Sequence, residues 1–269
     1  MDVPALAAEV LRSKKYGGID SAVVSRVCAR MAAKHTNPKE ALKAAKNELH
    51  MVHESFLQGD DCHKTASALL DRLTEGGDAP LEDVCAQIMR LHASTAERQR
   101  GLAEIYRFFS SYIHAGSAVM DIGCGFHPFA IPLLAERPLS YVAYDINTDT
   151  IQLVQRFFDF LQTPESLYRA EIFDCVPDTP PVSADVALLL KVLPVLQQQK
   201  KGRGLSLLGE LKFGTAIVSF PTKSMAGRQK GMASFYAEWF EGNLPHSIEI
   251  AEKRVFSNEM FYVVGKGES

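Results

Sequence analysis

The sequence lacks an excess of positive charge. Its 269 residues carry 29 Lys and Arg against 32 Asp and Glu, a formal net charge of -3 at pH 7. A chain-wide basic field, which is common in nucleic-acid-binding proteins, is therefore absent, and any surface for a polyanion must be local. The hydrophobic fraction of 46% predicts an ordered chain with one large core, alone or with a smaller appendage.

Cysteines are few and poorly spaced for cross-linking or metal binding. The five of them form no C-x-x-C pair and are scattered over the chain, at Cys28, Cys62, Cys85, Cys124 and Cys175. We therefore expect no disulfide framework and no metal site, and we expect a reducing, cytoplasmic setting. No apolar run is long enough for a membrane span, and acidic residues occur early where a signal peptide would be basic, so we expect no membrane partner.

The first part of the chain is predicted to be a helical domain, residues 1–100. Apolar residues recur at helical spacing, as at Val23, Val27 and Met31, and no stretch alternates as a strand would. Asp20 is a suitable helix start, and Asn37 followed by Pro38 is another, since proline suits the first helical turn.

Residues 101–269 have a different pattern, short apolar runs separated by helical or loop segments. Strands are predicted at 117–123, 141–146, 167–174, 185–191, 215–221, 247–256 and 259–266. Mostly continuous apolar runs are typical of parallel strands buried on both faces, whereas the last two strands are close enough to form an antiparallel hairpin at one edge. The sequence thus predicts an α/β domain with a doubly wound, seven-stranded sheet.

A glycine turn follows the first predicted strand. In VMDIGCGFHP the strand ends at Asp121, and Gly123 and Gly125 then allow a sharp turn and a close approach to a ligand at the carboxyl ends of the strands. A dinucleotide-binding fingerprint has a third glycine where Pro128 stands, which argues against NAD.

Acids close the next two predicted strands. Asp145 is placed to bind both hydroxyls of a ribose, and Asp174 is placed to contact an adenine or its neighbouring polar groups. An adenosine-containing ligand without a pyrophosphate fits this pattern, and S-adenosylmethionine (SAM) is the commonest such ligand. The alternative is a glycine turn with surface acids in another kind of α/β protein.

Four segments carry a more specific signal: LHASTAER (91–98), DIGCGFHP (121–128), LLLKVLPVLQQQ (188–199) and SFPTKSMAGRQKGM (219–232). Together they resemble the aminoglycoside-resistance 16S ribosomal RNA methyltransferases of the Arm/Rmt type, and the similarity runs in order over nearly the whole chain. It implies a class I SAM-dependent methyltransferase with a Rossmann-like fold and an N-terminal helical domain that docks on the ribosome. The implied target is N7 of guanine 1405 in 16S rRNA of the assembled 30S subunit, and the implied outcome is aminoglycoside resistance.

The resemblance also assigns the SAM-binding positions. They fall on Phe56, His92, Ala93, Ser94, Arg98, Gly123, Asp145, Asp174, Cys175, Leu190 and Gln199. Arg98 has a physical rationale as well, because a guanidinium can fork onto the carboxylate in the methionine part of SAM. The chain departs from the family at His127 and Phe235, where the family usually has Asn, and this leaves the geometry of the target site open.

Several cations are candidates for contacts with RNA phosphates. Lys191 follows the fourth predicted strand, and the loop after the fifth carries three more, Lys223, Arg228 and Lys230. In the helical domain the resemblance implies docking through further cations, among them Lys14, Lys15, Arg26 and Lys46. From the residues alone, these form only a solvated helical face.

The aromatic residues near the ends of the strands allow two interpretations. Phe220, Tyr236 and Trp239 could stack on an extruded base or pack in the core, and for Trp239 and Phe240 core packing is favoured.

No general base is predicted, because guanine N7 carries a free lone pair and has no proton to lose on methylation. Two other functions stay open. One is a SAM-dependent methyltransferase for another RNA position, a small molecule or a protein, and the cationic loop after the fifth strand argues against the last two. The other is a non-catalytic RNA-binding factor, against which the complete set of Gly123, Gly125 and Asp145 argues. Nothing in the sequence requires more than a monomer.

Overall fold

The computed structural model describes residues 1–53, 56–59, 61–223, 231–256 and 258–267. Its N-terminal part is helical, as predicted, with α1 (Val3–Leu11), α2 (Ser21–Lys34), α3 (Pro38–Val52), α4 (Cys62–Thr74), α5 (Leu81–Met89), α6 (Ala93–Ala96), the 3-10 helix Glu97–Gly101 and α7 (Leu102–Phe109).

The predicted helix starts are confirmed. The Asp20 carboxylate accepts a hydrogen bond from the amide of Ala22 at 3.0 Å, and the Asn37 side chain accepts one from the amide of Lys39 at 2.9 Å. Such side-chain caps satisfy amides that have no partner within the first helical turn.

A seven-stranded sheet follows, and each strand overlaps its predicted range. The strands are β1 (Ala118–Ile122), β2 (Ser140–Asp145), β3 (Leu167–Ile172), β4 (Ser183–Leu190), β5 (Lys212–Pro221), β6 (Ile248–Phe256) and β7 (Glu259–Lys266). Between them lie the 3-10 helix His127–Leu133, α8 (Thr148–Leu161), α9 (Val192–Gln199), α10 (Arg203–Glu210) and α11 (Met232–Asn243).

The strand order is β3-β2-β1-β4-β5-β7-β6. All neighbouring pairs are parallel except β5 with β7 and β6 with β7, which are antiparallel. The predicted edge hairpin is thus confirmed, with β6 outermost. The chain moves outward from β1 to β3 and then returns to the other side of β1, so that a crevice forms at the carboxyl ends of β1 and β4.

Alternate side chains of the sheet enter two cores. One face, which includes Val119 and Leu188, packs under α4, α5, α7 and α8. The opposite face, which includes Met120 and Leu189, packs under α9, α10 and α11. This burial on both faces accounts for the continuous apolar strands that are typical of a doubly wound sheet.

Helices α1–α3 have a third, separate core, which contains Val10, Val27 and Leu49. Helices α4, α5 and α7 instead share the core of the sheet. Helices α1–α3 therefore have a core of their own, against which Ile146, after β2, also packs. A functional division near residue 100 stays a prediction. None of the helices in the described ranges is long and apolar enough to cross a membrane.

Candidate active site and cofactor pocket

A cavity opens at the carboxyl ends of β1, β2 and β4. Most of the predicted cofactor-binding residues line it: Phe56, His92, Ser94, Gly123, Asp145, Asp174, Cys175, Leu190 and Gln199. Of the other two, Ala93 lines an adjoining cavity, and Arg98 is buried behind the site with 1% of its surface exposed.

The glycine turn after β1 is shaped for a ligand that approaches the backbone. Gly123 and Gly125 have φ angles of +64° and +49°, which residues other than glycine rarely adopt. A Cβ atom on Gly123 would lie 2.9 Å from Val192 Cγ2, and one on Gly125 would lie 2.8 Å from the imidazole of His92. Glycine is therefore required at both positions for space as well as for conformation.

Asp145 is held in place by backbone amides. One carboxylate oxygen accepts a hydrogen bond from the amide of Gly125 at 3.0 Å, and the other accepts one from the amide of Asn147 at 3.0 Å. Each oxygen keeps a further lone pair, and the side chain lines the cavity. The carboxylate can thus accept the hydroxyls of a ribose without first having to be ordered.

His92 and Phe56 form an aromatic wall of the cavity, and Phe126 packs against His92 without lining the cavity. The rings of His92 and Phe56 are nearly parallel, with centroids 5.9 Å apart, and the Phe126 ring lies 5.5 Å from His92. Burial, with smaller contributions from nearby His and basic side chains, lowers the pKa of His92 to about 3. The imidazole is therefore neutral at physiological pH and does not repel a cationic ligand.

Asp174 and Gln199 line the cavity from two different elements and meet a residue of the helical part. Arg26 on α2 donates from Nε to Asp174 Oδ2 at 2.6 Å and from Nη2 to Gln199 Oε1 at 3.0 Å. Cys175 is the next lining residue, and burial, followed by the nearby Asp174 charge, raises its pKa to about 12. The thiol is thus protonated, which is the form that does not act as a nucleophile.

Arg98 forks onto Glu259 rather than onto the cavity. Its Nε and Nη2 donate to the two carboxylate oxygens at 2.9 and 2.7 Å, while Nη1 is buried with no hydrogen-bond partner among the described residues. Burial alone would raise the pKa of Glu259, but the charges of Arg98 and Lys191 and hydrogen bonds from Arg98 and Ser219 lower it to about 2. Because Arg98 lines neither of the cavities at this edge of the sheet, its predicted contact with the SAM carboxylate stays a prediction.

Lys191 is buried and paired. Its backbone has a φ angle of 60°, and its side chain is 7% exposed. The ammonium lies 2.5 Å from the carboxylate of Glu97 and 3.4 Å from that of Glu259. A phosphate contact by Lys191 would have to form at this protected position, and it stays a prediction.

A second cavity adjoins the first and shares Phe56, Ser94, Lys191 and Val195 with it. Lys223, Met232 and Tyr236 also line it. The two cavities therefore lie side by side and share part of their walls.

The aromatic residues at this end of the sheet divide between core and cavity. Phe220 and Phe240 are fully buried and pack against each other, with Trp239 partly buried beside them. Core packing is thus confirmed for Phe240 and also holds for Phe220. Tyr236 stacks on Phe220 and lines the second cavity, whereas Phe235, on the same helix, is 62% exposed.

The other predicted RNA contacts are dispersed. Lys14 and Lys15 are exposed in the connection between α1 and α2, and Lys46 is half-buried on α3. Arg228 and Lys230 lie outside the described residues. His127 is buried behind the glycine turn, where its Nδ1 lies 2.8 Å from Asp121 Oδ2, and it does not line the cofactor cavity.

The residues that the sequence analysis missed are mainly apolar. Ile146 and Phe173 flank the two strand-end acids, and Val195 and Leu196 share one face of α9 with Gln199. The α9 residues could have been predicted from their spacing, because residues three and four positions apart share one face of a helix, and this helix follows a strand end. Among the described residues there is no cluster of three or more His, Cys, Asp or Glu that could hold a metal ion.

The doubly wound sheet with an antiparallel seventh strand, the glycine turn after β1 and the acid after β2 define the molecule as a class I SAM-dependent methyltransferase. Comparison with known proteins narrows the assignment. The chain belongs to the ribosomal RNA methyltransferase (FmrO) family, whose model matches residues 12–263.

Individual relatives match over nearly their full length. A 16S rRNA (guanine(1405)-N(7))-methyltransferase of Serratia marcescens is 32% identical over 99% of both chains, and one of Frankia casuarinae is 31% identical over 95% of this chain and 90% of its own. Among solved structures, the 16S rRNA methyltransferase RmtF in complex with S-adenosyl-L-homocysteine superposes with a TM-score of 0.87, at 32% identity over 99% of this chain and 100% of its own. The 16S rRNA methylase RmtB gives a TM-score of 0.82 at 28% identity, over 99% of each chain.

Proposed function

We propose that this protein transfers a methyl group from SAM to N7 of guanine 1405 in 16S rRNA, and that the modification confers aminoglycoside resistance. The observation that carries the proposal is the pair of adjoining cavities at the strand ends, one lined by the predicted SAM-binding residues and the other by Lys223 and Tyr236. The relatives with this activity in their names align over the same full length.

The first cavity fits SAM. The Asp145 carboxylate is fixed by two amides and is available to ribose hydroxyls, and the turn at Gly123 has the space that a side chain would fill. We place the adenine end of SAM near Asp174, which also lines the cavity. At the other end we place the carboxylate of SAM near His92 and Ser94, which line the cavity, and we keep Arg98 as its proposed partner.

The second cavity fits the target guanine. Tyr236 offers a ring on which an extruded base can stack, and Lys223 offers a cation for an adjacent phosphate. Because Phe56 and Ser94 line both cavities, a base held in the second cavity lies beside the cofactor in the first.

SAM supplies an electrophilic methyl group on a sulfonium. The protein has to align guanine N7 with it and exclude water, and no side chain needs to remove a proton, since N7 reacts through a free lone pair. His92 is neutral and Cys175 is protonated, so neither side chain adds a charge to the cavity that would receive the sulfonium.

Recognition of the subunit is assigned to cations outside the cofactor cavity. We propose that Lys14, Lys15 and Lys46 of the helical part belong to the surface that contacts the ribosome. Lys223, Arg228 and Lys230, in the segment that follows β5, would belong to the same surface. A target within an assembled subunit requires recognition of RNA shape beyond a few bases, which a helical docking part provides. The substrate places the enzyme in the cytoplasm, and a monomer suffices because one chain lines both cavities.

The test is methyl transfer from labelled SAM to intact 30S subunits, with protein-free 16S rRNA in parallel. The modified position is mapped by chain cleavage at N7-methylguanine, and an Asp145→Ala variant serves as the control that lacks cofactor binding. We expect one labelled guanine, at position 1405, in subunits only. If the protein binds S-adenosylhomocysteine and labels neither substrate, the proposed target is wrong.

A further inference from the structure

Arg26 belongs to α2, in the part of the molecule with its own separate core, but its guanidinium lies at the cofactor cavity. It forms a bidentate pair with Asp174, with Nε to Oδ2 at 2.6 Å and Nη2 to Oδ1 at 3.1 Å. The same Nη2 donates to Gln199 Oε1 at 3.0 Å. The side chains of Arg26 and Asp174 are only 22% and 16% exposed, so this contact is stronger than an ordinary surface ion pair.

The two acceptors come from different elements that line the same cavity. Asp174 follows β3, and its Oδ1 also accepts a hydrogen bond from the amide of Val176 at 3.0 Å. Gln199 is the last residue of α9. Arg26 thus joins the two walls of the cavity to each other and both of them to α2.

Arg30, one helical turn after Arg26, strengthens this connection. It donates through Nη1 to the backbone carbonyl of Gln199, and its guanidinium pairs with Glu48 on α3. The end of α9 is therefore held from two successive turns of α2, and α3 is linked to the same contact.

We propose that Arg26 is a positioning residue of the cofactor pocket. It holds Asp174 and Gln199 in the arrangement that receives the adenosine end of SAM, so that cofactor affinity depends on how the α1–α3 unit is seated. This inference rests on the proposed placement of SAM in the first cavity. It assigns Arg26 a role different from the phosphate contact expected from sequence, since a phosphate would have to displace three hydrogen bonds to Asp174 and Gln199.

The experiment compares S-adenosylhomocysteine binding, by calorimetry, to the wild type, Arg26→Ala and the matched control Lys34→Ala, which removes an exposed cation from the same helix. We expect Arg26→Ala to weaken binding by about tenfold or more, as for loss of charge-assisted hydrogen bonds at a partly buried site, and Lys34→Ala to leave it unchanged. Arg26→Lys keeps the charge but cannot form the bidentate pair, so its affinity for S-adenosylhomocysteine should lie between those of Arg26→Ala and Lys34→Ala. It replaces the alanine variant if that one does not fold.

Steady-state kinetics on 30S subunits separate positioning from RNA contact. A positioning role raises KM for SAM and leaves KM for the subunit and kcat at saturating SAM nearly unchanged. In a double-mutant cycle, Arg26→Ala should add little to the loss caused by Asp174→Asn, because the two residues act through one contact. A raised KM for the subunit with an unchanged KM for SAM would overturn the inference.

Asp145→Ala distinguishes this inference from the proposed function. If Asp145→Ala abolishes S-adenosylhomocysteine binding and Arg26→Ala does not weaken it, the positioning role fails and the cofactor site stands. If neither variant weakens binding, both the placement of SAM and the role of Arg26 are wrong.

Discussion

Arg98 and Glu259 form a bidentate ion pair in the interior, with hydrogen bonds of 2.9 and 2.7 Å and with 1% and 3% of their side chains exposed. The pair joins the segment before α7 to the start of β7, across 161 positions of sequence. Because Ser219 and Lys191 also contact Glu259, this one carboxylate links β5, the end of β4 and the cofactor site.

Replacement of Glu259 by Gln is expected to lower the free energy of unfolding by about 3–5 kcal/mol, because it leaves the Arg98 guanidinium buried without a compensating charge. Urea unfolding followed by circular dichroism measures the change. The matched control is Glu241→Gln, which breaks the exposed ion pair with Lys253 and should cost below about 1 kcal/mol. Equal losses in the two variants would show that burial of the Arg98 pair has no special weight.

The same carboxylate predicts a pH dependence of stability. The pKa of Glu259 is lowered in the folded state from 4.5 to about 2, so the unfolded chain takes up the proton first as the pH falls. The stabilisation is therefore complete above about pH 4.5 and is lost progressively between that value and about pH 2. We expect the difference in unfolding free energy between wild type and Glu259→Gln to shrink from pH 6 to pH 3. A constant difference over this range would contradict the assignment.

Asp145→Asn is expected to weaken S-adenosylhomocysteine binding by about tenfold to a hundredfold, because a hydrogen bond to a charged acceptor contributes about 1.5–3 kcal/mol. The amide keeps the shape of the side chain, but its NH2 group cannot accept one of the two hydrogen bonds from the amides of Gly125 and Asn147, which adds to the loss. Asp149→Asn, four residues further on and outside the lining of the cofactor cavity, is the control. Calorimetry decides, and comparable affinities for the two variants would remove Asp145 from the cofactor site.

How much of this site follows from sequence depends on the kind of residue. Gly123, Asp145 and Asp174 were predictable because parallel strands place their carboxyl ends at one edge, and the acids mark those ends. The Arg26–Asp174 and Arg98–Glu259 contacts were not, since they join residues 148 and 161 positions apart. The first contact depends on how α2 packs against the sheet, and the second depends on the position of β7 between β5 and β6. No local sequence pattern encodes either of these.

Gly125→Ala is expected to reduce both stability and S-adenosylhomocysteine affinity. The substitution forces alanine to a φ angle of +49° and places its Cβ 2.8 Å from the His92 ring, which must then move from the cavity wall. Gly202→Ala is a control for backbone strain alone, because Gly202 has a φ angle of +84° with nothing within 4 Å of the added Cβ. Each should lose about 1–2 kcal/mol of unfolding free energy to strain. The loss of affinity, measured by calorimetry, is expected for Gly125→Ala alone, and its appearance in both would assign the effect to stability.

Lys223→Ala is expected to leave S-adenosylhomocysteine binding unchanged and to weaken binding to 30S subunits. Lys223 lines the second cavity but not the first, so the variant removes the proposed phosphate contact without altering the walls of the cofactor cavity. The matched control is Lys201→Ala, an exposed cation in the connection between α9 and α10. Subunit affinity measured over a range of salt concentrations should show a slope of log affinity against log salt that is smaller by about 0.7–0.9 for Lys223→Ala, the contribution of one phosphate. An unchanged slope together with weakened cofactor binding would place Lys223 in the cofactor site and would remove the main support for RNA at the second cavity.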